Sequence, residues 1–261
     1  MDLSNIGTQL LFTTVPVWVE KNNGSQASGT GFIYAVSPPG KEGVTIPFLI
    51  TNYHVVSDSK RGLIQMIERK GDEPDRANKV RAEIDGISLQ KIVDRDNDLA
   101  AIPIAPIINQ FQNANRPVFF KTITPNLIPD METLNKLGAI EEVTFIGYPS
   151  GIYDDYNSAP LIRRGITASP IWNDFKGKPI FIIDAGVFPG SSGSPVFIYN
   201  QGSFATNAGI TIGTRILFVG ILSEAFIRSE PSTVFLGLGK VVKSTKLKEF
   251  IESVVKSIPI D

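Results

Sequence analysis

No cysteine occurs in the 261-residue chain, and histidine occurs once, as His54. The first absence excludes disulfides, thiol nucleophiles and thiolate-rich zinc sites. The second excludes a multi-histidine metal centre, so neither a metal nor any other cofactor is expected. No apolar run approaches the roughly 20 residues that span a bilayer. The opening stretch MDLSNIGTQLLFTTVPVWVE lacks a basic segment followed by an apolar one, as a secretory leader would have. The expectation is a cytoplasmic protein with no membrane partner. An excess of one charge is missing too: 25 Lys plus Arg stand against 26 Asp plus Glu. No long-range field therefore favours nucleic acid as a partner.

Short β-rich runs are abundant. In VPVWVE the residues Val15, Val17 and Val19 alternate onto one face, and Pro16 suggests an edge or a strand start. TGFIYAV, IPFLIT, VRAEIDGISLQKIV, LAAIPI, EVTFIGY, PIFIID, SPVFIY, ILFVGIL and STVFLGLG repeat the signal. Stretches rich in Gly, Pro, Asn and Asp separate them, among them ERKGDEPDRANK and NQGSFATNAG. Many short strands so punctuated favour a barrel or a sandwich. Residues 129–138 read as a short helix ending at Gly138. Near the end of the chain Leu247, Phe250, Ile251, Val254 and Val255 recur at helical spacing, after Ser244 or Thr245 as a cap. The Pro-, Asn- and Gln-containing segment from Ile104 to Pro129 reads as a connector between two β-rich halves. Gly237-Leu238-Gly239-Lys240 lacks the flanking residues of a phosphate loop and reads as a turn.

Chemistry concentrates in three stretches: ITNYHVV around His54, DRDNDLAAIPI around Asp98, and FPGSSGSPVF around Ser192. A serine hydroxyl needs an adjacent base to attack at neutral pH. A glycine-bearing turn can also aim backbone N–H groups at a developing oxyanion. Each stretch has a plainer reading. The lone histidine could be a core residue, the aspartate a turn at a strand start, and the Gly/Ser run an ordinary hairpin.

Together the three resemble the histidine, aspartate and Gly-x-Ser-Gly-Gly-Pro motifs of chymotrypsin-like serine peptidases, in the style of bacterial Deg-type members without a PDZ domain. The chain order His, Asp, Ser is that of this family, with spacings of 44 and 94 residues. TGTGFIY, FIGYPSG and RRGITASP resemble other conserved-order segments, so the similarity runs over most of the chain. It implies an all-β fold of two six-stranded antiparallel β-barrels followed by a C-terminal α-helix. A single peptidase domain would then fill residues 1–261, with barrels over about 8–120 and 139–242 and the helix over 243–258.

Residue roles implied by the resemblance are a general base at His54, an orienting carboxylate at Asp98 and a nucleophile at Ser192. The backbone N–H groups of Gly190 and Ser192 would form the oxyanion hole. Asp94, Asp96, Ser191 and Ser194 are neighbouring candidates that fit the motif frame less well. Ser194 replaces the family's second glycine, a departure that would shift the turn or add a hydrogen bond. Gly186 takes the position at the base of the substrate pocket. VGILSEAF resembles the pocket wall, bringing Ser223 near Asp98 and placing Glu224 and Ala225 along the substrate strand. With no acid at Gly186 and with alanine at 225, the expectation is cleavage after small or medium apolar residues. The implied activity is that of a serine endopeptidase acting on polypeptide, with control through loop ordering or a regulatory partner. The alternatives are an inactive protease-like module that binds a peptide or partner, and an esterase using the same triad.

Overall fold

The structure, a computed structural model, describes residues 1–41, 43–206, 209–228 and 234–257. Among the described residues, sixteen strands and six α-helices carry the fold.

The first half is built from β1 (Thr14–Lys21), β2 (Gln26–Val36), β3 (Ile46–Thr51), β4 (Ser59–Lys70), β5 (Glu73–Asp85), β6 (Val93–Asp94), β7 (Leu99–Pro103) and β8 (Val118–Phe119). Its sheet runs β5-β4-β1-β2-β3-β7-β6, with β8 added to β4, which makes eight strands in place of the expected six. All pairs are antiparallel. The sheet curls around a core that includes Val17, Ile33, Leu49, Ile64, Ile84 and Ile102. Val15, Val17 and Val19 are buried as their alternation predicts. β1 nevertheless lies in the interior of the sheet, paired on both sides. Pro16 is accommodated because the β4 ladder begins only at Val17, so no donor is missing from it.

The second half comprises β9 (Glu142–Gly147), β10 (Leu161–Thr167), β11 (Ile180–Asp184), β12 (Pro195–Asn200), β13 (Ser203–Thr206), β14 (Gly209–Ile212), β15 (Arg215–Arg228) and β16 (Val234–Lys243). Six of these close into a barrel in the order β10-β11-β16-β15-β12-β9, while β13 and β14 form a separate hairpin. Val143, Phe145, Phe181, Ile183, Val196 and Leu222 help to fill the barrel. Gly237 to Lys240 lie within β16, not in a turn.

The helices are α1 (Ile6–Leu10), α2 (Tyr53–Val56), α3 (Gly86–Gln90), α4 (Ala105–Asn113), α5 (Met131–Asn135) and α6 (Ser244–Ser257). The run VRAEIDGISLQKIV, expected as strand, breaks at Asp85. That carboxylate accepts the N–H groups of Ile87 and Ser88 and starts α3. Conversely, ERKGDEPDRANK is mostly strand, because β4 and β5 continue through it to a turn at Gly71. The connector contains α4 and β8. α5 is shorter than expected and is capped by Asp130. α6 follows β16 directly, so Ser244 is its first residue and not a residue ahead of it.

A third core joins the halves. Phe32, Phe48 and Leu99 of the first sheet meet Ile146, Phe197 and Phe218 of the barrel, and Leu247, Ile251 and Val255 of α6 complete the cluster. Residues from either half therefore converge along one seam. No helix among the described residues is long and apolar enough to cross a membrane.

Candidate active site

His54 sits on α2, the single helical turn that follows β3, with Val55 and Val56 buried beneath it. Asp98 immediately precedes β7 and adopts the left-handed conformation, φ 56°. Aspartate tolerates this region better than most residues. Here it lets one residue bond in three directions. The Asp98 carbonyl accepts the Tyr53 N–H at 3.2 Å and the Asn52 amide at 2.9 Å. Its Oδ1 accepts the His54 backbone N–H at 2.9 Å, and its Oδ2 lies 2.8 Å from His54 Nδ1. Ser223 Oγ donates to the same Oδ2 at 2.6 Å.

Burial works to raise the Asp98 pKa. The hydrogen bond and positive charge offered by His54, with the hydroxyl of Ser223, outweigh it and hold the carboxyl below its ordinary value of 3.8. An ionised Asp98 accepts a proton-bearing Nδ1 and leaves Nε2 as the imidazole's free basic nitrogen.

Ser192 lies in a turn whose two glycines are sterically required. Gly190 and Gly193 have φ of 83° and 89°. A Cβ on Gly193 would stand 1.9 Å from the Thr30 carbonyl oxygen, and one on Gly190 would stand 2.7 Å from Tyr148 O. Gly193 N–H donates to Leu222 O at 2.8 Å, and Leu222 N–H returns to Ser194 O at 2.9 Å. The N–H groups of Gly190 and Ser192 donate to no group among the described residues. Ser192 Oγ donates to the carbonyl of Ser223 at 2.8 Å, and no hydrogen bond joins it to His54.

Ser194 adds a hydrogen bond. Its buried Oγ occupies space that a Cβ on Gly147 would fill and reaches Thr30 Oγ1 at 3.3 Å. The glycine missing from one side of the contact is thus present on the other.

Of the expected pocket residues, Ser223 lies beside Asp98. Glu224 is exposed and paired with Lys240 at 2.8 Å. Ala225 packs at the margin of the barrel core. Gly186 is exposed and faces Arg163 Nη2, which would be 2.9 Å from a Cβ there.

Sequence reasoning missed two supporting side chains. Thr30 N–H donates to Ser192 O at 2.8 Å, while Thr30 Oγ1 donates to Gly190 O at 3.1 Å and accepts Tyr148 N–H at 3.0 Å. It ties the nucleophile turn to β2; its only sequence signal was its place in TGTGFIY. Lys21 Nζ donates to the carbonyls of His54, Val55 and Ser57 at 3.2, 2.9 and 2.5 Å, closing the open end of α2. Nothing local in the sequence marks that contact, since the partners lie more than 30 residues away.

Residues 29–205 match the model of the trypsin-like peptidase domain. No curated protein sequence matches the chain. Among solved structures, the HtrA-type protease AlgW with a tripeptide is similar over 98% of this chain and 64% of its own, at 16% identity and a TM-score of 0.57. The chain thus spans less than two thirds of AlgW's length. The serine endoprotease from Yersinia pestis is similar over 98% of this chain and 69% of its own, at 17% identity and a TM-score of 0.51. A thermostable serine protease, AL20, from an extremophilic microorganism matches at 13% identity and a TM-score of 0.50, over 95% of this chain and 99% of its own. At such identities the structural likeness shows the fold. The family match covers more than half of the sequence, and the chain belongs to the trypsin-like peptidase domain family.

Proposed function

We propose that the protein is a serine endopeptidase that hydrolyses polypeptides through an acyl-enzyme on Ser192. The observation that carries this reading is the two-point grip of Asp98 on His54, through the backbone N–H and through Nδ1. A carboxylate so placed fixes the tautomer of a base and stabilises the imidazolium it becomes. A core histidine needs no such arrangement.

In the proposed cycle, the Ser192 hydroxyl turns from the Ser223 carbonyl toward His54 Nε2. Catalytic hydrogen bonds of this kind commonly tighten only once substrate is bound. His54 takes the hydroxyl proton as Ser192 Oγ attacks the scissile carbonyl. The oxyanion then meets the free N–H groups of Gly190 and Ser192, and one such donor contributes on the order of 3 kcal/mol. His54 next delivers the proton to the leaving amine, leaving the acyl ester on Ser192. Water, deprotonated by His54, releases the acid and restores the hydroxyl.

The direct test compares the wild type with Ser192→Ala for fluorophosphonate labelling and for cleavage of casein and a peptide library. Loss of labelling and a drop in turnover of roughly 10⁴–10⁶-fold are expected. Equal labelling of the variant would remove Ser192 from the mechanism. A folded wild type that binds peptides but neither labels nor cleaves would be a protease-like binding module. Cleavage of esters without peptides would make it an esterase.

A further inference from the structure

Arg163 has no ion-pair partner among the described residues and contacts the nucleophile turn at Ser191. It lies on β10 opposite Phe145, and its guanidinium carbon is 5.2 Å from the Phe145 ring centre and 5.0 Å from that of Phe188. Phe188 in turn leans on Phe235 at 5.7 Å. Aromatic rings lie against the cation, while the in-plane N–H donors are nearly unused. Nη1 reaches Ser191 Oγ at 3.4 Å, which is its one hydrogen bond among the described residues.

Arg61, Arg116, Arg164 and Arg215 each pair with a glutamate, whereas no carboxylate among the described residues lies within 4.0 Å of Arg163. Arg69, Arg76, Arg81 and Arg95 also have no carboxylate partner among the described residues, but only Arg163 has its guanidinium against two rings. Burial pushes its guanidinium below the ordinary value, and no nearby anion opposes that shift. Partial burial of an unpaired cation costs stability. The two rings offset part of that cost through cation–π attraction and leave the in-plane donors without an anion.

Position gives the cation a use. Gly186, Phe188 and Ser191 all belong to the segment leading into Ser192. The absence of a side chain at Gly186 admits Arg163 Nη2, which would stand 2.9 Å from a Cβ there. Through Nη1 and Ser191 Oγ the guanidinium touches the residue next to the nucleophile, so an anion bound in its plane would lie beside the same turn.

We propose that Arg163 determines specificity by binding a carboxylate of the substrate, namely an acidic side chain on the residue whose carbonyl Ser192 attacks. A guanidinium grips a carboxylate through two parallel N–H···O bonds, a geometry that neither a carboxamide nor an aliphatic side chain can use. The inference rests on the peptidase reading of the same site, and it replaces the apolar preference expected from Gly186 and Ala225.

The test uses quenched peptides that differ only at the residue before the scissile bond: Glu, Gln, Leu or Lys. The wild type should favour Glu over Gln by about 10- to 100-fold in kcat/KM, the range for a charge-assisted hydrogen bond. Arg163→Gln should erase that ratio, Arg163→Lys should keep part of it, and Arg163→Glu should shift preference toward Lys. A second arm needs no turnover. Calorimetry on Ser192→Ala would compare capped peptides ending in Glu-amide and Gln-amide with one ending in Gln and a free C-terminal carboxylate. Tighter binding of Glu-amide, abolished by adding Arg163→Gln, supports the proposal. A gain from the free terminus alone overturns the side-chain assignment. Equal Glu and Gln values in both arms, or a leucine preference unaffected by Arg163 substitution, also overturn it. Absence of any cleavage would defeat the peptidase reading, while the calorimetric arm would still decide whether Arg163 binds the carboxylate.

Discussion

Asp98 bears the strictest demands of any single residue, since its carbonyl, its two carboxylate oxygens and its left-handed backbone are all used. Asp98→Asn keeps the shape but presents an amide to Nδ1, favouring the tautomer that cannot accept the Ser192 proton. Turnover should fall by about 10⁴-fold with the substrate KM little changed, read from steady-state kinetics. The sign of the pH effect follows from the depressed pKa. A carboxylate with a folded value below its unfolded one stabilises the fold at neutral pH. That contribution fades as pH drops through the folded value, below 3.8. Urea midpoints measured from pH 6 down to pH 2.5 should therefore converge for wild type and Asp98→Asn at the acid end. Thr30 offers a second residue-scale test. Thr30→Ala leaves Gly190 O and Tyr148 N–H without their buried partner, at a cost of about 1–3 kcal/mol. Thr30→Ser retains the hydroxyl and should recover most of both stability and kcat.

At the scale of elements, α2 is too short to hold itself. A single helical turn is intrinsically unfavourable, so its geometry is imposed by Asp98 at one end and Lys21 at the other. Lys21→Met keeps the aliphatic stem but removes the donors from three carbonyls. A loss of about 1.5–3 kcal/mol is expected in denaturant unfolding, with kcat reduced as His54 loosens. Elements also show where the sequence could be read and where it could not. His54, Asp98 and Ser192 stood out as candidates because each sits in a dense local motif, and the contact between His54 and Asp98 follows from the two short segments that carry them. The barrel strands were legible through their alternation. α3 was not, because GISLQ alternates as well as a strand does and only the cap from Asp85 decides the matter. α4 was hidden by its Pro, Asn and Gln content. Thr30, Lys21 and Arg163 act through contacts 33 to 164 residues away in the case of the first two, and across a barrel rim in the third, where no local pattern records them.

The whole molecule is held together by the seam. Phe218 of the barrel packs edge-on to Phe32 of the first sheet at 5.4 Å and against Phe197 at 5.6 Å. Phe218→Ala should cost about 3–5 kcal/mol. Because the cluster belongs to either half, near-ultraviolet dichroism and activity should be lost together on heating, and not in two steps.

The place of α6 in that seam also fixes an order in time. Chains emerge from synthesis N-terminal end first, and His54, Asp98 and Ser192 all precede α6. Leu247, Ile251 and Val255 belong to a core cluster to which both halves contribute. A nascent chain still lacking those residues can hold every group of the site and yet have no finished surface on which to align them. On the proposed peptidase reading, hydrolysis should begin only when the fourteen-residue α6 docks, after the residues of the site have themselves been synthesised.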